Sequence, residues 1–123
     1  MRALLVGVGG GIGSLARYWM AGAVQGLNGA MFPAGTLAVN IAGSFLIGLI
    51  MALSLERGLI SSDLRVFLTV GFCGGFTTMS TFSYETLALL RDGSVVTALS
   101  NVTLSLFSCL VAVWLGGALA RVL

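Results

Sequence analysis

The sequence predicts an all-α membrane protein with four transmembrane helices, the third broken in mid-membrane. Three observations carry that prediction. Of 123 residues 58% are hydrophobic and only 8% charged, with a mean hydropathy of +1.08, so the chain lacks the polar surface that a small soluble domain presents to water. Nearly all the apolar character falls in four segments, 3–23, 35–55, 66–90 and 95–122, each close to or above the ~20 residues that cross a ~30 Å hydrocarbon core. Within the third, residues 71–85 read GFCGGFTTMSTFSYE, where paired glycines and a run of hydroxyls interrupt an otherwise apolar span.

The first segment is rich in glycine. Gly7, Gly9, Gly10, Gly11 and Gly13 suggest a nucleotide loop at first sight, but no triplet fits G-x-G-x-x-G and no βαβ unit surrounds them. They do form two overlapping G-x-x-x-G pairs, Gly7 with Gly11 and Gly9 with Gly13, which remove side-chain bulk and let helix backbones approach closely. A cleaved signal peptide is the alternative for this segment. Arg17 inside the run, and the lack of a small-residue cleavage site before a polar start, argue against it.

A connection over 25–34 holds Pro33, the only proline, with Asn28 and Gly29. In the second segment Thr36, Asn40 and Gly43 share one helical face, and the Asn40 amide can donate two hydrogen bonds. The next connection, 56–65, carries two charges of each sign, and Arg91, Asp92 and Gly93 make a tight third turn. Such short links join antiparallel neighbours, so residues 1–123 are expected to form a single domain.

In the third segment Gly74 and Gly75 weaken a helix at its middle, while Thr77, Thr78, Ser80, Thr81 and Ser83 offer the backbone local hydrogen bonds. A break is expected there. Unwound backbone persists in a membrane only where it is buried in protein or lines a cavity, and its free carbonyls can coordinate a cation. Beyond it Met79, Phe82 and Glu85 follow at intervals of three on one face. Phe82 reads most simply as packing, although the positive edge of its ring can also face a small anion.

In the fourth segment Thr97, Asn101, Ser105 and Ser108 fall within about 80° of one another at 3.6 residues per turn. A hydrophilic stripe in hydrocarbon must face protein or water. Taken singly, each of these residues reads as interhelical glue or as a hydroxyl bonded to its own helix; the repetition over three segments points to a path.

Other chemistries drop out. Cys73 and Cys109 lie in predicted spans and read as small buried apolar residues. With no histidine in the chain, histidine proton switches, His-based metal sites and His-based nucleophile sites are excluded. The acids are Glu56, Asp63, Glu85 and Asp92, three of them in loops, which leaves no carboxylate pair for acid–base work within the membrane. An enzyme is not expected, nor a nucleic-acid partner. All six basic residues are arginines: with both termini on one side, Arg2, Arg57, Arg65 and Arg121 gather there, opposite Arg91, with Arg17 directed toward the Arg91 side. So shallow a positive-inside bias leaves one weakly specified orientation and insertion in both orientations equally open.

GFCGGFTTMSTFSYE, with GGGIGSLARYW over 9–19 and GTLAVNIAGSFLIG over 35–48, closely resembles the fluoride channel family known as Fluc or CrcB, over nearly the whole chain. The resemblance implies an antiparallel, dual-topology homodimer in a prokaryotic inner membrane. It implies two fluoride-conducting pores and a structural sodium ion at the dimer centre, with passive export of cytoplasmic fluoride. By position, the backbone carbonyls of Gly74 and Thr77 would hold sodium. Asn40, Phe82 and Ser105 would line the pore, with Ser80, Thr81 and the stripe residue Ser108 beside it. Arg17 and Glu85 would be vestibule or gating candidates.

Two positions depart from the family pattern. Met79 stands where the family usually carries its first pore phenylalanine; a thioether lacks an aromatic edge but fills similar space flexibly, so conduction is expected to persist at an altered rate or affinity. Asn101 stands where some members carry an aromatic residue. Fluoride is small and strongly hydrated, and moving it into a low-dielectric interior requires donors that replace its water. Hydroxyls and an amide supply these without the tight hold of full charges. Two other readings of a small four-span chain compete: a proton-coupled multidrug exporter, for which only Glu85 could serve as the membrane carboxylate, and a non-conducting assembly subunit, which would not explain the aligned hydroxyls.

Overall fold

In a computed structural model that describes residues 1–29 and 31–123, the described residues are helical and contain no strand. Ala30, within the expected first connection, lies outside them. Helix α1 is Arg2–Asn28. Helix α2 is Ala34–Met51 and continues as a π-helical turn, Ala52–Glu56. Helix α3 starts as Ser62–Val66, widens into the π-helical stretch Phe67–Cys73 and closes as Gly74–Phe76. After two extended residues come α4, Met79–Arg91, and α5, Val95–Val122.

Three of these rods are long and apolar enough to cross a membrane: Ala34–Glu56, Ser62–Arg91 and Val95–Val122. The first helix, of 27 residues, has the length for a fourth crossing but not the apolarity, because glycines replace the larger side chains along it. It also runs past residue 23 to Asn28, where Gly29 closes it with a left-handed φ of 58°. There the Gln25 and Asn28 amides donate to the Phe32 carbonyl while the Gly35 N–H donates to Gln25 Oε1, so the polar end of α1 folds onto the start of α2.

Glycine sets the packing distances. In α1 the face carrying Gly9 and Gly13 lies on the π-helical stretch of α3: a methyl group on Gly9 would stand 2.6 Å from the Phe67 carbonyl oxygen, and one on Gly13 would collide with the Phe72 carbonyl. Gly75 answers from the other side, pressed against the Gly10 carbonyl and Ser14. The second expected pair, Gly7 and Gly11, faces outward with open space around it. Between α2 and α5, Gly48 meets the Val113 carbonyl and Gly116 meets the Phe45 carbonyl, a register in which one number rises as the other falls, so these helices are antiparallel.

The arginine ends settle the relative order of the helices. Arg2 Nε pairs with Asp63 Oδ1 at 3.0 Å, and Arg121 Nε with Glu56 Oε2 at 3.0 Å. Arg57 Nη1 donates to the Ala120 carbonyl at 2.9 Å, closing a carbonyl at the end of α5. Arg65 Nη1 donates to Ser54 Oγ, which donates to the Ile60 carbonyl. Arg2, Arg57, Arg65 and Arg121 therefore share one end of the molecule. At the other end the Ser94 hydroxyl reaches Met31 Sδ at 3.4 Å, which gives an up-down-up-down order.

Candidate functional site

The break in the third rod falls two residues beyond the paired glycines. Gly74 and Gly75 stay helical, because Gly75 is needed for contact with α1; the chain unwinds at Thr77 (φ −91°, ψ 159°) and Thr78 (φ −151°, ψ 117°). Thr78 makes the interruption persist. Its Oγ1 accepts the Thr81 N–H at 3.2 Å, the bond of an N-cap, and so starts α4 afresh. Asn40 clasps the same residue from α2: the Thr78 N–H donates to Asn40 Oδ1 at 2.8 Å, and Asn40 Nδ2 donates to the Thr78 carbonyl at 3.1 Å. Asn40 thus replaces the helical acceptor of the Thr78 N–H and adds a second donor to the Thr78 carbonyl, which as the cap carbonyl also opens α4, each bond contributing about 1 kcal/mol net.

The diverted bonds determine what happens to the carbonyls at the end of α3. An unbroken helix would return the Thr78 N–H to Gly74 and the Thr81 N–H to Thr77. The first goes to Asn40 and the second to the Thr78 hydroxyl, so the Gly74 and Thr77 carbonyls lose those donors. The Gly75 carbonyl instead receives Arg17 Nε at 2.9 Å, which draws that half-buried guanidinium from α1 onto the break. The Cys73 carbonyl accepts both the Thr77 N–H at 3.0 Å and the Thr77 hydroxyl at 2.9 Å.

Beside the break lies a cavity of about 460 Å³. From α2 it takes Asn40, Gly43, Ser44 and Ile47; from the third rod Thr69, Cys73, Gly74, Thr77, Thr78, Met79 and Phe82; from α5 Ser105, Leu106, Cys109, Leu110 and Val113. Its wall is apolar apart from the Asn40 amide, the hydroxyls and the peptide groups of the break. Gly43 allows the close approach here, since a methyl on it would strike the Thr77 side chain.

Of the residues singled out in the sequence, Asn40, Gly74, Thr77, Met79, Phe82 and Ser105 are brought together around this cavity. Met79 is 67% exposed, on the outer rim, whereas Phe82 is half-buried. Ser80 and Thr81 stand on the first turn of α4, both within reach of the Thr78 hydroxyl at 3.3 and 3.1 Å. Ser108 is half-buried on α5 outside the cavity lining. Glu85 lies further along α4 with its Oε1 buried and without a hydrogen-bond partner among the described residues. Asn101 is packed away behind the wall, 1% exposed.

The sequence reading passed over Thr78 as a site residue, along with Ser44, Thr69 and the π-helical stretch. For Thr78 a signal existed: a threonine preceding an apolar helix by one residue is a standard cap position. Nothing in the spacing announces a π-helix, which depends on one extra residue being absorbed per turn under the pull of neighbouring contacts.

Among the described residues no group of three or more Cys, His, Asp or Glu could hold a metal. The oxygen donors suited to a cation are the Gly74 and Thr77 carbonyls, and hard monovalent ions take such ligands. Apolar helices of membrane length, a helix break stabilised by a side-chain amide, and a cavity bordered by hydroxyls belong to an all-helical, multi-pass membrane protein. The profile of "CrcB-like protein, Camphor Resistance (CrcB)" matches residues 4–117, and the chain belongs to this family of ion channels. A "Fluoride-specific ion channel FluC" of Geotalea daltonii is 54% identical over 118 residues, covering 96% of this chain and 95% of the relative. Proteins of the same name from Geotalea uraniireducens and Geobacter metallireducens are 52% identical over 120 residues (98% and 97% covered) and 55% identical over 112 residues (91% and 90%). Several apolar helices in such a family fit a multi-pass inner-membrane protein.

Proposed function

We propose that this protein is a fluoride-selective channel that lets cytoplasmic fluoride leave down its electrochemical gradient. The observation that supports this most is the cavity at the helix break, where the Asn40 amide, the Ser105 hydroxyl and the Phe82 ring border one space, in a chain that spans nearly the full length of relatives named as fluoride-specific channels. A dehydrated fluoride ion needs donors arranged in series and no full positive charge that would trap it. Asn40 keeps one Nδ2 proton beyond its bond to Thr78, and Ser80, Thr81 and Ser108 extend the donor series to either side, while Ser105, its proton given to Asn101 Oδ1, borders the cavity as a polar wall. Phe82 turns an aromatic edge toward the ion, with Met79 at the rim in place of a second ring.

In this reading all of residues 1–123 form one domain, α1 makes a fourth crossing with its glycine face held against α3, and two copies associate in opposite orientations. Sodium belongs at the centre of that pair. The Gly74 and Thr77 carbonyls fit it, because their helical donors are committed elsewhere; a second copy would complete the ligand set. When bound, the ion supplies fixed positive potential beside the anion path. This chain's own residues hold the break: Asn40 and the Thr78 hydroxyl keep the backbone open, and Arg17 fixes the Gly75 carbonyl, leaving the guanidinium near the path's approach. Glu85, with Oε1 unpartnered, is the gating candidate.

The test is fluoride efflux from proteoliposomes holding the purified protein, with chloride and protein-free vesicles as controls. Rapid fluoride efflux without chloride leak is expected. Absence of fluoride flux from well-folded protein would sink the reading.

A further inference from the structure

Asn101 and Val39 are the largest side chains that the fold buries completely. An amide withdrawn from water among apolar helices must find partners, and those of Asn101 make a directed chain. Asn101 Nδ2 donates to Thr86 Oγ1 at 3.0 Å, Thr86 Oγ1 donates to the Phe82 carbonyl at 2.8 Å, and Ser105 Oγ donates to Asn101 Oδ1 at 3.4 Å. Thr86 has a single proton; with that proton on Phe82 it can only accept from Asn101. The amide nitrogen must therefore face Thr86 and the amide oxygen must face Ser105. Every proton in the chain points the same way, from Ser105 on α5 toward Phe82 on α4.

A threonine bonded to the carbonyl four residues back is common in helices. What sets this one apart is the second bond from α5, and that both ends of the chain, Ser105 and Phe82, border the cavity while the middle is buried. We propose that Asn101 is a positioning residue for conduction, holding Phe82 through Thr86 and Ser105 through its own amide oxygen, so that two walls of the cavity keep a fixed spacing and donor direction. The inference rests on the channel reading for its functional consequence, and on the hydrogen bonds alone for its structural one. It gives the amide at position 101 a role: the short side chain reaches back to Thr86 on α4.

The experiment uses full-length protein labelled with ¹³C at phenylalanine carbonyls and reconstituted in lipid vesicles, with the Phe82 signal assigned by its loss in Phe82→Leu. Asn101→Leu and Thr86→Val should each shift that carbonyl signal, and Thr86→Ser, which keeps the hydroxyl, should restore it. Fluoride efflux from the same vesicles should fall by about tenfold in the first two variants, recover in Thr86→Ser, and fall no further in the double variant Asn101→Leu/Thr86→Val. An unmoved Phe82 signal in Thr86→Val, or failure of Thr86→Ser to restore it, would overturn the proposal even if Asn101→Leu does not fold; strictly additive losses of flux would do the same. Should the parent conduct no fluoride, the channel reading fails by that result while the carbonyl signals still decide the chain of bonds.

Discussion

Asn40 is the residue on which the site turns, because it serves two structural groups at once. Asn40→Leu would leave the Thr78 N–H without its acceptor and take one of the donors from the Thr78 carbonyl, at about 1–3 kcal/mol for the orphaned N–H. A lower melting temperature in detergent and loss of fluoride efflux are expected. Asn40→Asp separates the two roles: it keeps an acceptor for the Thr78 N–H but loses the donor and adds negative charge to the cavity. It should fold and yet conduct poorly. Unchanged efflux in Asn40→Asp would show that the anion does not pass this side chain. Met79 poses the complementary question. It is 67% exposed at the rim, so Met79→Phe should fold without cost and alter rate or affinity; identical flux and selectivity would remove position 79 from the path.

At the scale of the helix, glycines with the same sequence spacing have opposite surroundings. Gly13 lies against a backbone carbonyl of α3, whereas Gly11 has nothing within 4 Å of where a methyl would sit. Gly13→Ala should therefore cost about 1–3 kcal/mol, the usual range for overpacking a fitted core, and cut the yield of folded protein. Gly11→Ala should leave the subunit's fold intact. Chromatographic yield and thermal melts of the two variants side by side check this, and equal damage from both would mean that the outward face of α1 is also packed, against a second copy. The broken rod follows a similar division of labour. Its glycines fit α3 to α1, while Thr78 and Asn40 end the helix.

Across the whole molecule the ion pairs orient but hardly stabilise. Arg121 and Glu56 are 54% and 48% exposed, Arg2 and Asp63 58% and 63%, and pairs so open to water are screened and hold the fold only weakly. Glu56→Gln should shift the melting temperature by no more than a few degrees. What the charged end does influence is insertion. Four arginines at one end oppose Arg91 at the other, with Arg17 drawn inward to the Gly75 carbonyl, a weak bias that would permit insertion in both of the orientations proposed above. A cysteine added after Leu123, in a Cys73→Ser/Cys109→Ser background, should be labelled by an impermeant reagent from both faces of sealed membranes. Labelling from one face only would reject the antiparallel pair.

The all-helical class, three of the apolar spans with their approximate ends, the polar stripe on α5 and the need for a break near residue 75 were legible in the sequence, because each follows from local composition or from a fixed period of 3.6 residues. Most of the residues around the cavity, Asn40, Phe82 and Ser105 among them, were legible through motif and spacing. Tertiary structure alone decided the rest. It moved the break to Thr77 and Thr78 and set the Asn40 amide against the Thr78 peptide. It turned Gly9 and Gly13 inward but Gly7 and Gly11 outward, and it joined Asn101 to Phe82 through Thr86. A sequence period tells which residues share a face; which face meets which neighbour, and where a backbone group finds its partner once the helical one is lost, depends on contacts between segments dozens of residues apart.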